Sequence, residues 1–325
     1  MAKMTMVEAI NMAHAWEMAQ DPSVVVLGED VGTNGGVFRA TAGLQQRFGK
    51  MRVQDTPLAE GLIAGAAIGM AAQGLRPVAE IQFMGFIYPA LDQIASHMAR
   101  LRNRTRGRLS CPLVVRMPHG GGIHAPEHHS ESLEAVLCHH AGLRVVCPSS
   151  PARAYGLLLA AIRDPDPVIF LEPVRLYRFA RQDVADDGQA LPIGNCFVLR
   201  EGSDLTVVTW GAMTVDSLKA AGQMAAEGVS CEVIDVGTLS PIDFETILDS
   251  VVKTGRLLIV HEAPRNVGLG AEIAATVAEQ ALYDLQAPIR RVTGYDTIMP
   301  LYRLEYDYIP GVARIMDGIR ATVAD

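Results

Sequence analysis

The chain has 325 residues, of which 49% are hydrophobic and 20% charged, which is enough apolar material for two packed domains. A formal net charge of −8 argues against a general nucleic-acid binder, because such proteins present a basic face. The five cysteines are odd in number and form no CxxC pair, which indicates reduced thiols rather than a disulfide framework. The N-terminus lacks the apolar core of a signal peptide, and no apolar run could span a bilayer. The sequence therefore predicts a cytoplasmic protein without a membrane segment.

Strands and helices alternate through the first half of the chain. Thr5 and Glu8 have the spacing of a capping box, which predicts a helix over Met6–Gln20. Alternation of this kind implies a parallel sheet with helices on both faces. The other predicted helices are Leu58–Gln73, Tyr88–Leu101, Leu133–His140 and Ala152–Arg163, and the predicted strands are Val24–Leu27, Pro77–Phe83, Leu113–Met117, Leu143–Cys147 and Val168–Leu171.

A polar stretch from Arg178 to Gly188 interrupts this alternation and predicts a linker. The pattern then resumes, so we expect two α/β domains, at residues 1–185 and 201–325, with residues 186–200 between them. The strands predicted in the second domain are Leu205–Thr209, Ser230–Ile234 and Arg256–Val260, and its helices are Val215–Glu227, Phe244–Val252 and Ala271–Leu285.

The segment from Val53 to Glu60 is the most informative part of the sequence. Thr56 and Pro57 suit an N-cap and a first helical position, which would place Glu60 at the fourth helical position. One interpretation is a carboxylate favoured by the helix dipole. The other is functional, because a lone Glu buried in an apolar segment would have a raised pKa and could share a proton.

Three glycines follow at four-residue spacing, Gly61, Gly65 and Gly69. Glycine costs a helix roughly 1 kcal/mol relative to alanine, so this row predicts a close approach by another backbone. A tight contact with a second helix is expected, either within the chain or across a subunit interface.

Four histidines, His119, His124, His128 and His129, lie within eleven residues in a glycine-rich segment. A zinc site is disfavoured because the segment is predicted to be a loop and offers no cysteine ligands. Two readings remain: a surface loop, or a glycine-hinged loop that presents one histidine to a substrate. Further along, Gly268 and Gly270 form a GxG, but Ile273 replaces the third glycine, so we do not predict NAD binding.

Several long segments resemble the β subunit of the decarboxylating components of 2-oxo acid dehydrogenases. They are GEDVGTNGGVFRAT from Gly28, DTPLAEGLIAGAAIGMAAQGLRPVAEIQF from Asp55, MPHGGGIHAPEHHSESLEA from Met117, DPVIFLEP from Asp166, EVIDVGTLSPID from Glu232 and KTGRLLIVHEAP from Lys253. The resemblance runs through nearly the whole chain. It implies an α/β protein with two doubly wound domains, a thiamine-diphosphate pyrimidine-binding domain followed by a transketolase C-terminal-like domain.

The resemblance also implies roles for particular residues. The catalytic glutamate of the family falls on Glu60, which would hydrogen-bond N1′ of the aminopyrimidine and favour its imino tautomer, whose 4′-nitrogen removes the thiazolium C2 proton. The loop histidine falls on His129, near the substrate and the incoming lipoyl group. Phe86 would pack on the pyrimidine, and Leu58 and Glu29 would belong to the same cofactor site. A structural potassium ion is implied near Ala161, Asp164 and Asp166.

The diphosphate and Mg²⁺ motif of the family, GDG followed by Asn-Asn, is absent from the sequence. The resemblance therefore implies an α subunit that holds Mg²⁺ and the diphosphate, in an α2β2 heterotetramer that acts on a lipoyl domain and docks on the acyltransferase core. Pyruvate is the expected substrate, because the segment from Phe83 to Phe86 is of the pyruvate type. A branched-chain 2-oxo acid or acetoin dehydrogenase β subunit remains an alternative, since TGYDTIMP from Thr293 is closer to the branched-chain type. A non-catalytic assembly subunit is the alternative of a different class.

Overall fold

The chain divides into two compact units in a computed structural model that describes residues 2–324. The first unit comprises residues up to 119 together with residues 136–193, and the second comprises residues 120–135 together with residues 194 onward. The second unit thus includes a loop that the sequence analysis counted with the first domain. The domain limits inferred from the sequence stay a prediction.

The first half of the chain contains most of one parallel sheet. Its strands and helices, in chain order, are β1 (Ala2–Met4), α1 (Met6–Gln20), β2 (Val24–Gly28), α2 (Leu44–Phe48), β3 (Val53–Asp55), α3 (Glu60–Ala72), β4 (Arg76–Glu80), α4 (Tyr88–Asp92), α5 (Leu101–Arg104), β5 (Val114–His119), α6 (Glu134–Cys138), β6 (Arg144–Val146), α7 (Pro151–Arg163), β7 (Val168–Pro173) and β8 (Gln182–Val184). A π-helical segment, Gln93–Met98, follows α4.

The parallel strands of the first unit are ordered β6-β7-β5-β4-β2-β3. All residues of β2, β5 and β7 are buried, so both faces of the sheet are covered, as expected for parallel strands. Helices α1 and α7 pack against each other, and α3 packs against α4 and β4. Strand β8 pairs antiparallel with β1, although the sequence analysis placed a linker there.

The second unit contains β9 (Phe197–Arg200), β10 (Leu205–Thr209), α8 (Met213–Met224), β11 (Cys231–Asp235), β12 (Thr238–Ser240), α9 (Phe244–Thr254), β13 (Leu257–Pro264), α10 (Leu269–Gln280), β14 (Arg290–Gly294), α11 (Glu305–Tyr308) and α12 (Val312–Val323). Its sheet is ordered β14-β13-β10-β11-β9, and only β9 is antiparallel to its neighbour. Helices α8 and α12 pack together, α9 packs on β10 and α10 on β13. The predicted α/β class is confirmed.

Local signals account for several helix ends. The predicted capping box at α1 is confirmed, since Glu8 accepts a hydrogen bond from the Thr5 N–H over 2.7 Å and Thr5 Oγ1 accepts one from the Glu8 N–H over 3.4 Å. Asp243 caps α9 by accepting a hydrogen bond from the Thr246 N–H over 3.1 Å, and Gly255 ends that helix in the left-handed region at φ +69°. Within residues 2–324, no helix is long and apolar enough to cross a membrane.

Candidate functional site

The strands of the first unit bring several polar residues to the carboxyl edge of the sheet. Glu29 follows β2, Asp55 ends β3 and Glu80 ends β4. The segments after β2 and β3 run side by side, because Gly32 N–H donates to Asp55 Oδ1 over 2.6 Å and the N–H of Thr56 donates to Gly28 O over 3.0 Å. Ligands of doubly wound sheets bind at this edge, so it is the natural place for a site.

Glu60 is the first residue of α3 and not the fourth, because the helix begins after Ala59. The prediction of Thr56 as N-cap is therefore wrong. Thr56 instead continues the edge of the sheet, since its backbone N–H donates a hydrogen bond to the carbonyl oxygen of Gly28. Pro57 and Leu58 lie outside the helix. The hydroxyl Oγ1 of Thr56 is buried and has no hydrogen-bond partner within residues 2–324.

The surroundings of Glu60 combine charge with exposed apolar surface. Glu60 itself is half-buried, whereas Leu58 is 73% and Leu62 52% exposed. The pKa of Glu29 is raised by burial and then by repulsion from Asp30 and Glu60. This chain alone does not enclose the glutamate, and the apolar surface beside it lies open.

A row of aromatic rings leads from the first unit's interior to Phe86. Phe86 meets Phe83 edge-on with 5.7 Å between ring centroids, Phe83 meets Phe38 at 5.4 Å, and Phe38 meets Tyr177 at 5.0 Å. Phe83 and Tyr177 are buried, while Phe86 is half-buried at the end of the row. A flat ligand ring could extend this row at Phe86.

A buried ionic cluster that the sequence analysis missed lies between β4, β5 and β7. Arg116 donates to Glu172 from Nε over 2.7 Å and from Nη2 over 2.6 Å, and it also contacts Glu80. Tyr177 donates its hydroxyl proton to Glu172. Burial raises the pKa of Glu80 despite Arg116, and it lowers the pKa of His14, which the positive charge of Arg116 lowers further, to about 3. The signal in the sequence was a charged residue inside each of three apolar strands.

Two of the three glycines in the row on α3 face other residues of the first unit. A Cβ on Gly61 would lie 3.1 Å from the carbonyl oxygen of Pro89, and one on Gly65 would lie 3.4 Å from Gln93 Oε1. A Cβ on Gly69 would meet no atom within 4 Å. The predicted close approach of another backbone therefore exists at Gly61 inside the chain, whereas Gly65 contacts only a side chain and Gly69 is left open.

The histidine loop, residues 120–135, belongs to the second unit. Gly120 and Gly122 adopt φ values of +80° and +96°, which favour glycine, and the Gly120 N–H donates to Glu131 O over 2.9 Å. His129 ends a short 3₁₀ turn and is half-buried, with its ring centroid 4.4 Å from that of His128. Burial and the neighbouring His128 lower the pKa of His129, so its imidazole is neutral near pH 7.

Side chains from elsewhere in the second unit hold both ends of this loop. Glu262 accepts a hydrogen bond from the Gly121 N–H, and Glu305 accepts one from the Gly122 N–H over 2.6 Å. At the other end, Glu134 accepts a hydrogen bond from Trp210 Nε1 over 3.2 Å. Burial raises the pKa of Glu134 to about 7. Neither Glu262 nor Glu305 was singled out from the sequence.

The residues implied for a potassium site do not fit a free cation. Arg76 Nη1 donates to Ile162 O over 2.9 Å and to Asp164 O over 3.3 Å, so a positive group already lies at these carbonyls. The carboxylates of Asp164 and Asp166 face Arg144 and Arg102 at 3.1 and 2.5 Å, and Ala161, the third residue implied, is buried within α7. Among residues 2–324, no three His, Cys, Asp or Glu side chains are grouped so that they could hold a metal ion.

Comparison with known proteins identifies the family. Residues 2–180 match the transketolase pyrimidine-binding domain, and residues 194–315 match the transketolase C-terminal domain. The chain is 51% identical to the pyruvate dehydrogenase E1 component subunit beta of Acholeplasma laidlawii over 98% of both chains. It is 47% identical to that of Bacillus subtilis over 98% of both, and 48% identical to that of Staphylococcus epidermidis over 99% of both.

The chain belongs to the family of pyruvate dehydrogenase E1 β subunits. The resemblance inferred from the sequence motifs is thus confirmed. A solved structure described as a split-gene transketolase, an inactive β4 tetramer, superposes with a TM-score of 0.82 over 99% of both chains at 22% identity, which supports the fold. The roles predicted for five residues of this chain stay predictions; these residues are Glu60, His129, Leu58, Phe86 and Glu29.

Proposed function

We propose that this chain is the β subunit of a thiamine-diphosphate-dependent pyruvate dehydrogenase. The reaction is pyruvate + oxidised lipoyl domain + H⁺ → S-acetyldihydrolipoyl domain + CO2. The observation that carries the proposal is the full-length match, at 47–51% identity, to proteins named pyruvate dehydrogenase E1 component subunit beta. The half-buried carboxylate of Glu60 at the carboxyl edge of the first sheet agrees with it.

The residues at this edge suit the ring end of the cofactor. Phe86 offers an aromatic ring at the end of a row of packed aromatic side chains, and Leu58 offers exposed apolar surface. The hydroxyl of Thr56 is buried and has no hydrogen-bond partner in residues 2–324. Thiamine diphosphate, when bound, supplies the nucleophilic carbon and the electron sink that decarboxylation of a 2-oxo acid requires.

Glu60 would hold a proton at its carboxylate, shared with a ring nitrogen of the aminopyrimidine. Glu29 lies nearby, and its pKa is raised by burial and then by repulsion from Asp30 and Glu60. A partner chain that covers Leu58 and Leu62 would exclude water from Glu60 and strengthen the shared hydrogen bond.

His129 would act on the substrate side. Its lowered pKa keeps the imidazole neutral near pH 7, so one ring nitrogen donates a hydrogen bond while the other accepts. Such a ring can orient a carboxylate or carbonyl oxygen, and it can relay a proton to the incoming lipoyl group if its other nitrogen accepts one in the same step.

The proposed enzyme requires a second polypeptide. Since the diphosphate motif is absent from this sequence, an α subunit would hold Mg²⁺ and the diphosphate in an α2β2 heterotetramer. The further partners would be a lipoyl domain and the acyltransferase core, and the cytoplasm the proposed location. We leave potassium out of the proposal, because Arg76 already donates to the carbonyl of Asp164.

The test is reconstitution of the chain with an α subunit, thiamine diphosphate and Mg²⁺, followed by assay of Glu60→Gln. We expect the decarboxylation rate to fall by about 10²- to 10⁴-fold, the usual contribution of acid–base catalysis. Glu245→Gln, which also changes a glutamate in the first turn of a helix, is the matched control and should retain full activity. A native rate in Glu60→Gln would refute the catalytic assignment.

The substrate is decided by kcat/KM of the same complex for pyruvate and for 3-methyl-2-oxobutanoate. Pyruvate should be preferred. A clear preference for the branched acid would instead make the chain a branched-chain 2-oxo acid dehydrogenase β subunit. No turnover of any 2-oxo acid by the assembled complex would favour the non-catalytic assembly subunit.

A further inference from the structure

The loop over residues 120–135 is anchored through its backbone to two buried carboxylates. Glu305 Oε1 accepts a hydrogen bond from the Gly122 N–H over 2.6 Å, and its Oε2 accepts one from the His124 N–H over 3.0 Å. The same oxygen lies 2.9 Å from His124 Nδ1. Glu262 accepts a hydrogen bond from the Gly121 N–H. Three backbone N–H groups at the start of the loop are thereby fixed by carboxylates of the second unit.

The glycines of the loop are needed for this approach. A Cβ on Gly121 would lie 3.2 Å from Glu305 Oε1 and 2.9 Å from Met299 Cε, and one on Gly120 would lie 3.1 Å from Glu262 Oε1. The loop therefore lies as close to the two carboxylates as a backbone without side chains allows. Hydrogen bonds from N–H groups to a charged acceptor are about twice as strong as neutral ones, so the anchors are stiff.

The Glu305 carboxylate accepts its hydrogen bonds from this loop. Its side chain is 1% exposed and lies in the four-residue helix α11. Within residues 2–324 it pairs with no Lys or Arg, and the hydrogen bonds of its carboxylate go to Gly122 and His124. A buried carboxylate is costly to keep, so one whose partners all belong to a single loop indicates a task beyond packing.

The far end of the loop is held as well. The Gly120 N–H donates to Glu131 O, which closes the loop, and Trp210 Nε1 donates to Glu134 near its end. His129 lies between these fixed points, in a short turn in which its own N–H donates to Pro126 O over 2.9 Å. The imidazole's position thus depends on where the two ends are held.

We propose that Glu305, together with Glu262, is a positioning residue for His129. The inference rests on the proposed function, because it assigns the buried carboxylates of the second unit to the placement of a histidine that acts in the reaction. A displacement of about 1 Å of a reacting group can cost about 100-fold in rate. Loss of an anchor should therefore slow the step in which His129 takes part.

The experiment uses the reconstituted α2β2 enzyme with thiamine diphosphate, Mg²⁺ and a purified lipoyl domain. Decarboxylation with an artificial electron acceptor and acetylation of the lipoyl domain are measured separately. His129→Ala first identifies the half-reaction that depends on the histidine. Glu305→Gln should slow that same half-reaction roughly 10- to 100-fold, and the other one much less.

The double variant His129→Ala/Glu305→Gln separates positioning from general damage. If Glu305 acts through His129, the double variant is as fast as His129→Ala alone, since nothing is left to position. If the two losses multiply, the inference is overturned.

Glu232→Gln is the matched control, because Glu232 is a buried carboxylate of the same unit, 2% exposed, that accepts a hydrogen bond from the Gly202 N–H and pairs with Lys253 away from the loop. It should leave both half-reactions unchanged, and an equal loss there would also overturn the inference.

Gly121→Ala provides a second route if Glu305→Gln does not fold. It removes no charge, but it pushes the backbone away from Glu305 by a few tenths of an ångström, and it should slow the same half-reaction. Amide hydrogen exchange in residues 120–133 should be faster in Glu305→Gln and unchanged in Glu232→Gln. The proposed function fails separately, through native activity of Glu60→Gln, so the two failures are distinguishable.

Discussion

Arg116 and Glu172 form a buried bidentate ion pair, with Nε 2.7 Å from Oε1 and Nη2 2.6 Å from Oε2. Arg116 also contacts Glu80, and two carboxylates therefore share one guanidinium in the interior of the first unit. Burial disfavours the charge on Arg116, but the attraction of Glu172 and Glu80 outweighs it and raises the pKa of the guanidinium. The three residues are stable as a set, because removal of the cation would leave two like charges in a nonpolar environment.

Arg116→Met should accordingly destabilise the first unit by about 3–5 kcal/mol, the usual cost of breaking a buried ion pair. Urea unfolding followed by Trp16 fluorescence in a Trp210→Phe background reports on this unit, since Trp16 lies in α1. Arg320→Met is the control, because Arg320 pairs with Glu227 at the surface, and its unfolding curve should not shift. An unshifted curve for Arg116→Met would contradict the account of the cluster.

Glu134 should titrate close to neutral pH, because burial raises its pKa to about 7. Trp210 reports this directly, as its Nε1 donates to Glu134 Oε1. In a Trp16→Phe background the Trp210 emission should change with a midpoint of about pH 7. Addition of Glu134→Gln should abolish the titration, and a midpoint near 4.5 would refute the predicted shift.

The same shift has a consequence for stability. The folded chain holds the Glu134 proton up to about pH 7, whereas the unfolded chain loses it near pH 4.5. Between these values the folded state binds more protons, so the contribution of Glu134 to stability falls as the pH rises through that window and is level above it. Glu134→Gln should remove this part of the pH dependence of urea unfolding.

The sequence predicts most of the fold because its local signals are strong. The capping box of Thr5 and Glu8 and the apolar strands bounded by turns are short-range features, and they place α1 and most of the parallel strands within a few residues, although β3 and β14 were missed. Strand β8 was missed because it is polar and largely exposed, and it forms only through pairing with β1, about 180 residues away in sequence.

The candidate site is only partly predictable from local pattern. The start of α3 was misplaced, because a hydrogen bond from Thr56 to Gly28, a residue of another strand, delays the helix until Glu60. The anchors Glu262 and Glu305 lie more than 100 residues from the histidine loop, at separations of 141 and 183 residues. No spacing rule joins positions so far apart, so the attachment of the loop to the second unit required the structure.

Gly69 offers a simple test of the glycine row. A methyl group there meets no atom within 4 Å, so Gly69→Ala should stabilise the chain by about 0.5–1 kcal/mol through helix propensity alone. Gly61→Ala should gain nothing or lose stability, because its Cβ would press on the Pro89 carbonyl at 3.1 Å. Thermal unfolding of the two variants side by side measures the difference. Equal midpoints would contradict the assignment of Gly61 to the contact with α4.

The cysteines should differ sharply in reactivity, because the thiolate is the reactive form. Cys111, Cys147 and Cys231 are buried, and burial raises the pKa of Cys111 to about 12 and that of Cys231 to about 11. Cys196 is half-buried, and burial together with the carboxylate of Asp243 raises its pKa as well.

Cys138, which is also half-buried, should therefore be the thiol that reacts first with an aromatic disulfide reagent. The native chain should release about one equivalent of chromophore quickly, and all five only after addition of denaturant. Cys138→Ser should remove the fast phase, and Cys196→Ser should leave it intact. A fast phase that survives in Cys138→Ser would refute the assignment to Cys138, and its loss in Cys196→Ser would show that Cys196, the other half-buried thiol, is the one that reacts first.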